Sequence, residues 1–84
     1  MFNFLKSLLR TRITKISTES GTVYTIIGKE ILKNGRAFIK EATVIGIGED
    51  GNPHRLSEIA VGDELIPSSN AGPLYKTTRI KEIK

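Results

Sequence analysis

The chain has 84 residues, with 13 Lys+Arg against 9 Asp+Glu, a single His, and neither Cys nor Trp. Without cysteine there is no disulfide framework and no thiolate metal site, and no apolar run is long enough to span a bilayer. A chain of this size builds one small core, so one domain is expected.

Charge is unevenly spread. Residues 1–16 hold Lys6, Arg10, Arg12 and Lys15 and no acid. Residues 17–73 hold five basic and eight acidic groups, and residues 74–84 hold four basic groups against Glu82. Two basic ends bracket an acidic middle. That pattern suits a polyanion, an acidic neighbouring subunit, or the protein's own middle.

Residues 1–11 read as a short amphipathic helix or arm. Met1, Leu5 and Leu8 align on the helical period, with Phe2, Phe4 and Leu9 beside them and Asn3, Lys6, Ser7 and Arg10 opposite. So short a helix is not stable alone in water and is expected to dock on something. A secretory signal does not fit: the apolar run is too short, no small-residue cleavage site follows, and Arg10, Arg12 and Lys15 come directly after. With neither signal nor membrane span, the expected location is the cytoplasm or a virus particle.

From residue 12 to residue 84 the chain reads as one small β domain. Ile13 to Ser17 is a first strand, and Thr22 to Ile27, rich in β-branched and aromatic residues, is a second. Glu30 to Lys33 and Arg36 to Lys40 flank Asn34-Gly35, the pair that supplies both positive-φ positions of a type I′ hairpin. Ala42 to Ile47 is a further strand, and Glu49 to Pro53 breaks the chain. Leu56 to Ala60 has the spacing of one helical turn. Glu64 to Pro67 forms a strand, Ser68 to Pro73 a loop, and Leu74 to Ile83 a long closing strand. About six short strands with tight turns predict a mostly antiparallel, closed or nearly closed barrel.

Chemistry-bearing motifs are few. Gly46-Ile47-Gly48-Glu49-Asp50-Gly51 matches G-x-G-x-x-G, but a dinucleotide site needs a helix N-terminus right after the glycines. Pro53 stands there instead, and Glu49 and Asp50 repel phosphate, so the motif reads as a glycine-rich turn. Glu49, Asp50 and Asn52 fall short of the six to eight oxygens of a calcium site. His54 has no carboxylate at a local spacing suited to orient it, and no Ser is flanked by an obvious base. No enzyme, metal site or cofactor is expected.

One strand face invites a binding function. Strict alternation puts Arg36, Phe38 and Lys40 together, and Tyr75, Thr77, Arg79 and Lys81 share a face of the last strand. A ring flanked by cations on a sheet is how single-strand binders stack bases and hold phosphates. The same Phe38 is also what a small core with three Phe and two Tyr requires.

Ser20-Gly21-Thr22-Val23, the Asn34-Gly35 hairpin, Ala42-Thr43-Val44-Ile45, the run Leu56 to Leu65 and Thr77-Thr78-Arg79-Ile80 together resemble a known family. It is the small OB-like β-barrel domains of unknown function in bacterial exported proteins. The shared elements are a G-x-V opening, a central T-x-I and an L-x-x-I-x-V-G-D-x-V segment, and they cover residues 20–83. That resemblance implies an OB-like fold, although the family's export signal has no counterpart in residues 1–11. The Leu56 to Leu65 run also resembles the self-processing domains of inteins, but the first-position nucleophile of those domains has no match here.

The expected fold is therefore a small antiparallel OB/SH3-like barrel with a short N-terminal amphipathic helix. The expected function is a non-enzymatic structural or interaction module. It would be an accessory subunit of a larger protein assembly, such as a virion accessory or cement protein, docked through Phe2, Phe4, Leu5, Leu8 and Leu9. The alternative is a single-stranded nucleic-acid binder using Arg36, Phe38, Lys40, Tyr75 and Arg79. A membrane-surface role through residues 1–12 ranks behind both.

Overall fold

Isoleucine and alternation build this fold. Among the described residues the hydrophobic core holds Ile16, Tyr24, Ile26, Ile31, Ile39, Val44, Leu65 and Ile80, five of them isoleucines, whose branched Cβ suits the pleated surface of a sheet. The computed structural model of the protein describes residues 13–84. The amphipathic segment 1–11, with Phe2, Phe4, Leu5, Leu8 and Leu9, lies outside the described residues.

Among the described residues, nine strand segments follow in chain order: β1 Ile13–Thr18, β2 Val23–Ile27, β3 Glu30–Lys33, β4 Arg36–Ile39, β5 Thr43–Ile47, β6 Pro53–Arg55, β7 Glu64–Ser69, β8 Gly72–Pro73 and β9 Ile80–Ile83. A single 3-10 turn, Leu56–Glu58, sits between β6 and β7, where the helical spacing of Leu56 to Ala60 predicts one turn. The strands pair into a five-stranded sheet, β4-β3-β2-β1-β9, and a four-stranded sheet, β6-β5-β7-β8. Every pairing is antiparallel.

The β3–β4 hairpin forms at Asn34-Gly35 with φ of 53° and 80°, the left-handed pair that a type I′ turn demands. The Asn34 side chain adds to the turn, since its Oδ1 accepts the Val23 N–H at 2.9 Å.

The closed barrel does not form. On one side the last strand does join the sheets. Leu74 N–H donates to Pro67 O, Thr77 N–H to Leu65 O and Ile80 N–H to Asp63 O, after which β9 pairs with β1. This stretch bends as it passes from β7 to β1. At the bend Leu65 N–H is taken by Thr77 Oγ1 at 3.0 Å, which keeps the ladder satisfied where the backbone register slips. The other side stays open, because β4 and β6 are both edges. The expected long strand Leu74 to Ile83 is thus a bent connection ending in a four-residue strand. The expected loop Ser68 to Pro73 is largely a tight hairpin between β7 and β8.

Alternation in the five-stranded sheet separates two faces. Ile16, Tyr24, Ile26 and Ile31 face the core. Among the intervening positions Ile13 pairs with Ile27 and Leu32 with Ala37, whereas Val23 pairs with Ser17, Thr25 with Lys15 and Leu32, and Ile27 also with Glu30. Ile13 is 60% exposed and Ala37 is exposed, while Val23, Ile27 and Leu32 are half-buried. The outward face of this sheet therefore mixes the apolar pairs Ile13–Ile27 and Leu32–Ala37 with Lys15, Ser17, Thr25 and Glu30. No helix of the described residues is long and apolar enough to cross a membrane.

Candidate functional site

The strand face of the nucleic-acid alternative is only partly assembled. The register of β3 against β4 shifts between Ile31 and Leu32, so Ile31 pairs with Ile39 and Leu32 with Ala37. Phe38 is the extra residue of this bulge. Strict alternation therefore fails: Phe38 and its neighbour Ile39 both pack on the core. Alternation keeps Arg36 and Phe38 on one side, where Arg36 pairs with Lys33 and Lys33 lies over the Phe38 ring, but it breaks between Phe38 and Lys40.

The Phe38 ring packs toward Tyr24 of β2 and Tyr75 of the bent connection. Its centroid lies 6.5 Å from that of Tyr24 and 6.1 Å from that of Tyr75, with tilted rings. The Tyr24 and Tyr75 hydroxyls are 2.8 Å apart and share a hydrogen bond. Burial, then the Tyr75 hydroxyl, pushes the Tyr24 phenol far above its ordinary range, so it stays protonated. Lys33 of β3 lies over the cluster, its Nζ 5.3 Å from the Phe38 centroid and 5.2 Å from that of Tyr75, within cation–π range.

The remaining residues of the set scatter. Arg36 is exposed and opposite Lys33 in register. Lys40 is exposed beyond the end of β4, beside Glu41 and Asn70. Arg79 lies at Glu49, 3.5 Å away, and Lys76 lies 3.7 Å from Glu64. Half of the C-terminal basic cluster is thus matched to acids of the protein's own middle, in exposed pairs worth about 0.2–1 kcal/mol each. The structure brings Phe38 and Tyr75 together and adds Lys33 and Tyr24, which sequence reasoning missed. It leaves Arg79 elsewhere.

A second constellation was invisible in the sequence. His54 on β6 and Asp63 just before β7 both lie against β5, one from each flanking strand. His54 Nδ1 donates to Asp63 Oδ2 at 2.8 Å, and the same oxygen accepts the Ala60 N–H at 3.1 Å. Asp63 is buried at 5% exposure, whereas the His54 side chain is one-third exposed at 33%. The carboxylate only accepts, which fixes the proton on Nδ1. Hydrogen bonding to Asp63 first, then the charges of Asp63, Asp50 and Glu58, raise the imidazole above its ordinary pKa of 6.5, against an opposing desolvation.

The glycine motif explains how this pair fits. A Cβ on Gly46 would lie 3.0 Å from Ile59 Cγ1 and 3.1 Å from Asp63 Oδ2. One on Gly48 would lie 2.8 Å from His54 Cε1 and 2.9 Å from Asp50 Oδ1. Both glycines are where side chains crowd the backbone of β5, in agreement with a structural rather than a dinucleotide role. Asp50 closes the adjacent turn by accepting from Asn52 N and Nδ2 at 3.0 and 2.9 Å, which lowers its own pKa.

A carboxylate that orients an imidazole is the supporting half of a base-and-nucleophile set. Among the described residues, the side-chain hydrogen bonding of His54 ends at Asp63, and no group of three or more His, Asp and Glu gathers to hold a metal ion. The pair ties Pro53–Arg55 to the segment Ala60–Asp63. Its geometry is that of a latch between β6 and the loop that leads into β7.

Comparison of the chain with protein-family models, with curated proteins and with solved structures yields no match.

Proposed function

We propose that this protein is a non-catalytic interaction module, an accessory subunit of a larger protein assembly that docks through Phe2, Phe4, Leu5, Leu8 and Leu9. A virus particle is a setting that suits so small a spacer or cement component. The observation that supports this reading is apolar surface on the outward face of the five-stranded sheet, where Ile13 pairs with Ile27 and Leu32 with Ala37.

Deletion of residues 2–9 is expected to abolish incorporation into the assembly while the amide fingerprint of residues 13–84 is kept. A Leu32→Lys change on this outward face is expected to weaken incorporation without unfolding the protein. Full incorporation of the deletion variant refutes the reading.

One observation favours a second reading, single-stranded nucleic-acid binding. Tyr75 is 37% exposed and shares Lys33 with Phe38, which offers a ring and a cation at one place. A labelled single strand should then bind with a steep salt dependence, and Tyr75→Ala should cost about 1–3 kcal/mol. Binding that ignores both salt and Tyr75 removes it.

A further inference from the structure

Three asparagines, Asn34, Asn52 and Asn70, lie among the described residues. Asparagine is a chemically labile residue: its side-chain amide is lost when the main-chain nitrogen of the next residue attacks its Cγ. The fate of each asparagine therefore depends on how free that next nitrogen is. Asn52 precedes Pro53, whose nitrogen carries no hydrogen to give up, and its own Nδ2 is held on Asp50 Oδ2 at 2.9 Å. Asn70 precedes Ala71, whose N–H donates to Ser69 Oγ at 3.2 Å. Asp50-Gly51 has the same spacing for ring closure, but Gly51 N–H donates to Gly48 O at 2.9 Å. The N–H and side-chain amide of Asn52 also hold the Asp50 carboxyl below its usual range, and a carboxylate resists attack.

Asn34 differs at each of these points. It is exposed, and so is Gly35. Among the described residues no backbone acceptor takes the Gly35 N–H, and with no Cβ nothing shields that nitrogen. At the other reacting atom, Asn34 Oδ1 accepts the Val23 N–H at 2.9 Å, while Asn34 N–H donates to Val23 O at 2.8 Å. The Val23 donor is aimed at the oxygen on which negative charge develops when Cγ is attacked.

We propose that Asn34 is a site of spontaneous covalent modification that slowly releases β4. The Gly35 nitrogen gives its proton to water and bonds to Asn34 Cγ. The Cγ–Nδ2 bond breaks, Nδ2 leaves as ammonia, and a five-membered succinimide ring closes. Water then opens the ring at one of its two carbonyl carbons. Opening at Cγ leaves aspartate at this position, and opening at the main-chain carbonyl leaves isoaspartate, in which the chain runs through Cβ and Cγ. Either product adds one carboxylate and lowers the net charge of +4 by one unit.

The two products differ in consequence. Aspartate keeps the turn and an acceptor for Val23. Isoaspartate puts an extra main-chain carbon into a turn whose type is selected by loop length, and draws the carbonyl that Val23 holds into the main chain. Because β4 is an edge strand paired only with β3, it is the unit that comes loose, and Phe38 leaves Tyr24 and Tyr75. None of this depends on the accessory-subunit reading.

The test ages the 84-residue chain in mildly alkaline buffer. Isoelectric focusing, peptide mass mapping and enzymatic methylation of isoaspartate follow the products. An acidic, methyl-accepting species is expected, mapped to Asn34, with Asn52 and Asn70 intact. In the separated aspartate form the amide signals of Arg36 to Ile39 stay in place. In the isoaspartate form they shift or disappear, while those of Val44 and Leu65 in the other sheet remain. Asn34→Gly, which keeps the turn, should lose both the acidic species and the methylation. No change on ageing, loss of ammonia from Asn70 before Asn34, undiminished methylation of Asn34→Gly, or unmoved β4 amides in the isoaspartate form each overturns the proposal.

Discussion

Asn34 is asked to do two things at once, and substitutions separate them. Its φ of 53° lies in the left-handed region, which costs most L residues about 1–2 kcal/mol. Its Oδ1 also accepts the Val23 N–H at 2.9 Å, a bond worth about 0.5–1.5 kcal/mol. Asn34→Ala loses both and is expected to destabilise the fold by about 1.5–3.5 kcal/mol. Asn34→Gly keeps the backbone conformation and loses the acceptor. Its cost is that of the bond plus about 0.4–1 kcal/mol of extra chain entropy in the unfolded state. Asn34→Asp keeps an acceptor and tolerates positive φ, so it should stay within about 0.5 kcal/mol of the parent.

The whole chain is expected to be stable by only about 4–13 kcal/mol, so the alanine variant removes a large share of it. At about 4–8 °C per kcal/mol for a domain of this size, its Tm should fall by roughly 6–28 °C. Urea unfolding of the three variants, with the m value checked for constancy, gives the order Asp, Gly, Ala from mildest to most severe. An alanine variant as stable as the aspartate variant would refute the claim that turn chemistry at Asn34 holds the hairpin.

Three further outcomes follow from other parts of the structure. The ring protons of His54 should titrate above 6.5, and Asp63→Asn should bring that pKa down. Because the folded-state pKa is raised, the stabilising contribution of the pair is complete below pH 6.5 and fades as pH rises through the folded value, and this pH dependence should vanish in Asp63→Asn. Gly46→Ala and Gly48→Ala should each cost about 1–3 kcal/mol. The Gly46 Cβ meets the buried Asp63 and the packed Ile59, and the Gly48 Cβ meets His54, held by Asp63, and Asp50, held by Asn52; a parent-like thermal melt of either variant contradicts this assignment. Ile31→Ala, at a residue only 1% exposed, should cost about 2–5 kcal/mol by denaturant unfolding.

Much of the local architecture was readable without coordinates. Asn34-Gly35 determines its own turn because the signal is contained in two adjacent residues and their φ angles. The strands at Ile13, Val23, Glu30, Arg36, Thr43 and Glu64 follow from β-branched runs bounded by turn residues. The glycine motif was readable as structural because Pro53 and two acids stand where a phosphate site needs a helix.

Tertiary structure decided what depends on several strands together. Period-2 alternation placed Phe38 with Arg36 and Lys40, but a one-residue bulge, fixed by how β4 meets β3, brings Ile39 to the core beside Phe38 and breaks the alternation before Lys40. His54 and Asp63 are nine residues apart, with no periodicity that links them. They meet because β6 and β7 flank β5 on opposite sides, and the small Gly46 and Gly48 admit their side chains. Barrel closure is likewise a matter of how the sheets end. Each strand carries its own pattern, but the bend that joins β7 to β1, and the gap between β4 and β6, arise only from packing all of them around one small core.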